Sequence, residues 1–123
     1  AAVERSGISY DEVVHVNAHA TSTPVGDMGE ASALADLFGE DTVVTSTKSM
    51  TGHLLGAAGA IEAIATALAV HHDVVPPTIN LDDPDDELRV DVPREARQMP
   101  VPVAINDSFG FGGHNASLVF RKA

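Results

Sequence analysis

The chain has 123 residues and a formal net charge of −11, from seven basic residues against eighteen acidic ones. That imbalance argues against nucleic acid or an anionic membrane surface as the partner, because both select clustered Lys and Arg. Cys is absent, which excludes a disulfide framework, a thiolate metal site and a thiol nucleophile on this chain. The remaining composition, 44% apolar and mostly aliphatic, fits a soluble cytoplasmic α/β domain of one core.

The elements read in order as helix, strand, helix, strand, helix, strand, strand. Residues 1–6 resemble the last turns of a helix closed by Gly7 as its C-cap. A helix that opens at residue 1 leads to the expectation that the chain was cut from a longer one. Residues 11–17, DEVVHVN, read as a strand. Residues 26–38 read as a helix with Asp27 and Glu30 near its start, where the dipole favours acids. Gly39 ends it, and residues 42–45 form a second strand. Residues 56–72, GAAGAIEAIATALAVHH, favour helix and are small or apolar on nearly every face. A helix of that kind is buried. A membrane span is the weaker reading, since the run is short, rich in Ala and broken by Glu62. Covering such a helix on both sides exceeds what 123 residues supply, so a partner layer from elsewhere is expected. An acidic surface loop at residues 82–87 follows Pro76 and Pro77. Residues 101–106 and 114–120 read as an antiparallel pair joined by a tight Phe109–Gly113 connection. The expected fold class is α/β, with a mixed five-stranded sheet and a buried central helix.

Four clusters carry polar chemistry. NAHATSTP (17–24) and STKSMTGH (46–53) each follow a strand, where open α/β sheets gather their functional groups. Glu62 sits alone in the apolar helix, and NDSFGFGGHN (106–115) holds the glycines. Lys48 is one of two lysines, beside a core helix, and needs a partner. Glu62 has the same need, so the two are expected to pair. His19 and His53 occupy hydroxyl-rich loops, and together with a lysine they point to a site. His15, His71, His72 and His114 read as ordinary surface or edge residues. No H-E-x-x-H or Cys is present, so no metal site is expected. The glycine cluster lacks the G-K-[ST] of a P-loop, and neither S-x-x-K nor G-x-S-x-G occurs. The residues alone describe an anion-stabilising site without an obvious nucleophile.

The strings NAHATSTPVGD, STKSMTGHLLGAAGAIEA, PPTIN and NDSFGFGGHNASLVF, in that order, resemble the C-terminal half of a β-ketoacyl-[acyl-carrier-protein] synthase of the type II fatty-acid kind. The resemblance extends over nearly the whole chain and implies half of a thiolase-like fold. It also implies a decarboxylative Claisen condensation with acyl carrier protein as partner. The acyl chains would ride on phosphopantetheine, with no further cofactor. On that template His19 and His53 resemble the catalytic histidines and Lys48 the active-site lysine, with Glu62 as its structural partner. Thr21 and Thr23 resemble the hydroxyls that hold the phosphopantetheine arm. Phe111 resembles a gate whose N–H forms half of an acyl oxyanion hole, and Gly110, Gly112 and Gly113 make the loop mobile. Ala20 and Asp107 depart from the pattern, which has Gly at the first position and a neutral residue at the second. The nucleophilic Cys would belong to the missing N-terminal half, so this chain alone is expected to be inactive and the parent to be a homodimer. The runner-up is a non-catalytic subunit of the chain-length-factor type, which has no need of His19, Lys48 and His53. The helix at residues 61–70 is expected to leave an apolar face bare and to drive self-association.

Overall fold

A computed structural model describes all residues 1–123. It contains α1 (Ala2–Ser6), β1 (His15–Asn17), α2 (Pro24–Phe38), β2 (Val43–Thr45), α3 (Lys48–Thr51), α4 (Ala58–His72), β3 (Val74–Val75), β4 (Arg97–Gln98), β5 (Val103–Phe109) and β6 (Asn115–Arg121). Gly7 closes α1 in the left-handed region at φ 74°. Pro24 starts α2 two residues earlier than the composition suggests, because proline's fixed φ and missing N–H suit the first turn of a helix.

The main sheet runs β2-β1-β5-β6. β1 is parallel to both β2 and β5, while β5 and β6 form the expected antiparallel pair. The sheet therefore has four strands rather than five. The fifth place, outside β2, is held by a single bridging residue: Asp91 pairs in parallel with Val43 and exchanges backbone bonds with Thr42 and Val44. Two other expectations need correction. Residues 11–17 are not one strand, since Tyr10–Glu12 forms a 3₁₀ turn in which Glu12 caps the Ser9 N–H, and only His15–Asn17 extends. The short helix α3 and the β3-β4 ribbon (Val74 opposite Gln98) were not anticipated. Neither carries a periodic pattern long enough to read.

Side chains alternate across the sheet. Val16, Val44, Val103 and Ile105 face Ala31, Leu34 and Ala35 of α2 and Val3 of α1. Val43 and Ala104 face the other way, onto a smaller cluster with Val70 of α4, Val75 and Val101. The three layers are thus α1 with α2, the sheet, and α4.

The central helix α4 is buried along one face only. Ala58, Glu62, Thr66, Ala69 and Val70 point inward, whereas Ile61, Ile64 (58% exposed) and Leu68 (50% exposed) point outward. The expected bare apolar face is therefore present. The run Leu55–His72 has the length and apolarity of a membrane span, but its inner face carries Glu62 and Thr66 against the sheet.

Candidate active site

β1 and β2 are parallel, so the segments leaving their C-terminal ends emerge side by side. These segments carry His19 and the Ser46–His53 stretch. β5 lies on the other side of β1 and delivers Phe109 to the same edge. This topology brings three of the four sequence clusters together, and α4 brings the fourth.

The imidazoles of His19 and His53 stand perpendicular, with ring centroids 5.9 Å apart, and the Phe109 ring lies 5.3 Å from His19. The Phe109 backbone N–H donates to His19 Nδ1 at 3.3 Å, and the Leu55 N–H donates to His53 Nδ1 at 3.1 Å. A backbone N–H is only ever a donor, so Nδ1 of each ring is the acceptor and a neutral ring carries its proton on Nε2. Burial pushes the His19 pKa below its ordinary value, as do the Lys48 cation and His53, against a smaller opposing effect of Asp27. His19 is accordingly neutral at neutral pH. The pair offers two N–H donors on adjacent rings.

Lys48 and Glu62 form the expected ion pair, with side chains 5% and 1% exposed. Around it lies a buried polar layer. The Asn17 amide and the Thr47 hydroxyl bond each other at 3.2–3.3 Å, and Thr66 Oγ1 donates to the Glu62 carbonyl at 2.8 Å. Thr45 Oγ1 donates to the Pro76 carbonyl at 2.7 Å. His15 belongs to this face and not to the surface. It is fully buried (0% exposed), which overturns the surface reading. Its Nδ1 lies 2.9 Å from the Val43 carbonyl, and burial lowers its pKa from 6.5 to about 4. His71, His72 and His114 are exposed, as expected.

A cavity of about 560 Å³ is lined by His19, Thr21, His53, Phe109, Gly110 and Phe111, among others. Phe111 is 96% exposed at its mouth. Thr21 also reaches a neighbouring cavity of about 320 Å³ with Lys48, Ser46, Ser49 and Thr78. Thr23 does not join either; it lies across the loop beside Asp27 and Met28, and its Oγ1 occupies the space a Cβ at Gly26 would need. In the glycine loop, Gly112 and Gly113 adopt φ 73° and 79°, which favours glycine. Gly110 is extended instead, and its N–H closes the hairpin onto the His114 carbonyl at 2.8 Å.

Three contributors were not visible in the sequence. The Phe109 and Leu55 amides carry no side-chain signal. Glu30, read only as an acid near a helix start, turns its carboxylate back to accept the N–H groups of His19 and Ala20, both at 2.8 Å.

The sequence pattern described as "Beta-ketoacyl synthase, C-terminal domain" matches residues 1–82. The chain belongs to the β-ketoacyl synthase C-terminal domain family. It is 53% identical to 3-oxoacyl-[acyl-carrier-protein] synthase 2 of Vibrio harveyi, over 99% of this chain and 31% of that protein. It is 50% identical to the synthase 2 of a Synechocystis strain, over 98% of this chain and 30% of that protein. Among solved structures, a β-ketoacyl synthase from Burkholderia phymatum superposes with a TM-score of 0.92 at 38% identity, covering 98% of this chain and 30% of that one. A type II polyketide acyl-carrier protein in complex with its ketosynthase gives a TM-score of 0.90 at 35% identity, covering 98% of this chain and 31% of that one. The chain thus spans about a third of the length of these family members, and the mixed α/β fold with its central helix is theirs.

Proposed function

We propose that this chain is the C-terminal part of a 3-oxoacyl-[acyl-carrier-protein] synthase that elongates fatty acyl chains by decarboxylative condensation. The observation that carries the reading is the histidine pair: two rings, each with Nδ1 held by a backbone N–H, each left with an Nε2–H donor. When a malonyl thioester loses carbon dioxide, the electron pair of the broken C–C bond moves onto the thioester oxygen. His19 and His53 donate to that enolate oxygen, and its carbon then attacks the acyl thioester. Each preorganised donor of this kind contributes about 3 kcal/mol to the transition state. The Lys48 cation favours the neutral form of His19, and Glu62 balances the lysine. Thr21, which lines both cavities, holds the phosphopantetheine arm, whereas Thr23 faces neither cavity. Phe111 gates the acyl chain and lends its N–H to the acyl oxyanion, on a loop set by Gly110, Gly112 and Gly113. This chemistry calls for no cofactor beyond the phosphopantetheine thioester, because the thioester carbonyl itself accepts the electron pair.

The Cys nucleophile comes from the remainder of the synthase, since this chain has none; the chain alone is therefore inactive. Acyl carrier protein is the substrate-bearing partner, and the whole synthase is a homodimer. Relatives named as acyl-carrier-protein synthases and a solved ketosynthase–carrier complex support the carrier protein as partner. Solved structures of a ketosynthase with its chain length factor are also similar, which keeps a non-catalytic subunit as the second reading. A carrier of that role has no use for a preorganised donor pair.

The test is a chimera in which this chain replaces the matching 31% of the Vibrio harveyi synthase. Release of carbon dioxide from malonyl-carrier protein is expected, with His19→Ala and His53→Ala each lowering it about a hundredfold. A folded chimera that releases none, or one indifferent to both substitutions, overturns the proposal.

A further inference from the structure

We propose that Thr78 is a positioning residue for the segment that carries Lys48 and His53: its hydroxyl receives the Ser46 N–H where the chain leaves β2 and thereby sets His53 against His19. The inference rests on the reading of the two histidines as oxyanion donors. It goes beyond that reading in giving a role to the string PPTIN (76–80), to which the reaction itself assigns none.

Along β2 successive N–H groups point to opposite sides of the strand. The Val44 N–H turns away from β1 and donates to the Asp91 carbonyl at 2.8 Å. The Ser46 N–H, two residues on, turns the same way. Asp91 alone holds the fifth place in the sheet, so no strand meets Ser46 there. An amide in that position needs an acceptor. Thr78 Oγ1 supplies it at 2.9 Å. Thr78 is fixed in turn by its own N–H, which donates to the Pro93 carbonyl at 2.9 Å, two residues beyond Asp91. The hydroxyl thus extends the outer edge of the sheet by one bond past the point where its backbone ends.

A second bond runs the other way. The Ile79 N–H donates to Ser49 Oγ at 3.0 Å, and that hydroxyl donates to the Ser46 carbonyl at 2.8 Å. Thr45 Oγ1 donates to the Pro76 carbonyl at 2.7 Å. Three hydroxyl-to-backbone bonds therefore join residues 45–49 to residues 76–79, and Lys48 lies between two of them. Beyond α3, Gly52 and His53 are exposed, so the α3 end decides where they stand. The Leu55 N–H fixes the tautomer of His53 but not its distance from His19. Ser46 also reaches the first histidine loop, because its Oγ donates to the Ala20 carbonyl at 2.9 Å. It therefore sits between Thr78 on one side and the neighbour of His19 on the other. A shift at Ser46 moves the second histidine relative to the first, and the 5.9 Å spacing of their rings reports it.

Thr78→Val keeps the branched shape and removes the acceptor, whereas Thr78→Ser keeps the acceptor. Nuclear Overhauser effects between the ring protons of His19 and His53, in this chain at neutral pH, read the spacing directly. The Tyr10 and Phe38 rings, 5.8 Å apart in another part of the molecule, serve as the control. In Thr78→Val the His19–His53 effect should be lost and the Ser46 amide should shift, with the Tyr10–Phe38 effect intact. Thr78→Ser should recover both. A His19–His53 effect that survives in Thr78→Val, or one lost in Thr78→Val and Thr78→Ser alike, overturns the proposal. If Thr78→Val does not fold, Thr78→Ala is read in its place against the same outcomes. In the chimera, Thr78→Val should lower kcat for carbon dioxide release on the order of tenfold to a hundredfold with KM for malonyl-carrier protein unchanged, and Thr78→Ser should recover it. A kcat unaltered by Thr78→Val overturns the proposal as well. A chimera inactive with Thr78 in place refutes the proposed reaction, while the ring spacing still decides the role of Thr78.

Discussion

His15 should make the stability of this chain fall between neutral and mildly acidic pH. The ring is buried on the α4 side of β1, between Val43 and Ala104, with Nδ1 donating to the Val43 carbonyl and Nε2 without a partner. Protonation would place a charge at that unpartnered nitrogen, which is why its pKa drops to about 4 from 6.5. The folded value lies below the unfolded one, so between them the unfolded chain binds more protons. Stability is then full above pH 6.5 and declines as pH falls toward 4. The whole span is worth about 3 kcal/mol, and about 2 kcal/mol of it is lost by about pH 5. Urea unfolding of wild type and His15→Val at about pH 7.5 and about pH 5 isolates this contribution, because every other titrating group is common to both. His15→Val should be less stable at the higher pH, having lost a hydrogen bond and volume. Its decline on acidification should be shallower by about 2 kcal/mol. An identical decline in the two proteins refutes the buried neutral imidazole.

The buried ion pair should behave as a unit: Lys48→Met or Glu62→Gln alone should cost about 3–5 kcal/mol, and Lys48→Met with Glu62→Leu less than either, read from denaturant midpoints. Asp107, whose pKa is raised by burial against a smaller opposing effect of its Ser117 contact, binds more protons folded than unfolded, so its burden on stability grows as pH rises above 3.8. Asp107→Asn should therefore raise Tm at neutral pH and lose that gain below about pH 3.8, and a Tm gain that is independent of pH would count against it. The outer face of α4, with Ile61, Ile64 and Leu68 exposed, should make the isolated chain self-associate in sedimentation velocity. Ile64→Lys with Leu68→Glu should restore the monomer, and a wild-type chain that is monodisperse and monomeric at high concentration rules the idea out.

What was legible in the sequence follows physical lines. Lys48 and Glu62 could be paired because each is a charge alone in an apolar setting, and an uncompensated buried charge is not tolerated. The strand pair at the C-terminus could be read because each strand is seven residues long and a tight glycine-rich connection separates them. β1 and β2 were read as strands too, but with three residues each they are too short to fix a period, and the first was read four residues too long at its start. His15 was misread for a related reason. In a strand where Val alternates with polar residues, the polar face usually meets solvent. Here Val16 faces α2 and the polar His15 and Asn17 face α4, so both sides are buried. Glu30 could not be found because its partners lie ten and eleven residues back, across a turn whose shape no local pattern encodes.

α4 inverts the usual arrangement of an amphipathic helix, and the inversion follows from the site. Its inner stripe is Ala58, Glu62, Thr66 and Ala69, small or polar, while its outer stripe is Ile61, Ile64 and Leu68. A helix chosen only to cover this sheet would turn the large aliphatic residues inward, where each contributes about 1.5–3 kcal/mol on full burial. The inner stripe is polar because the sheet beneath it is polar at the C-terminal ends of its parallel strands. There Asn17, Thr45 and Asn106 are buried and need partners. Toward the other end the same layer becomes apolar, with Val43, Ala104 and Val70. The helix therefore anchors the charge of Lys48 beside the histidines and closes the polar groups into a mutually bonded layer, which rigidifies the site. Its hydrophobic contribution is directed away from its own sheet, and only a surface outside these 123 residues can collect it.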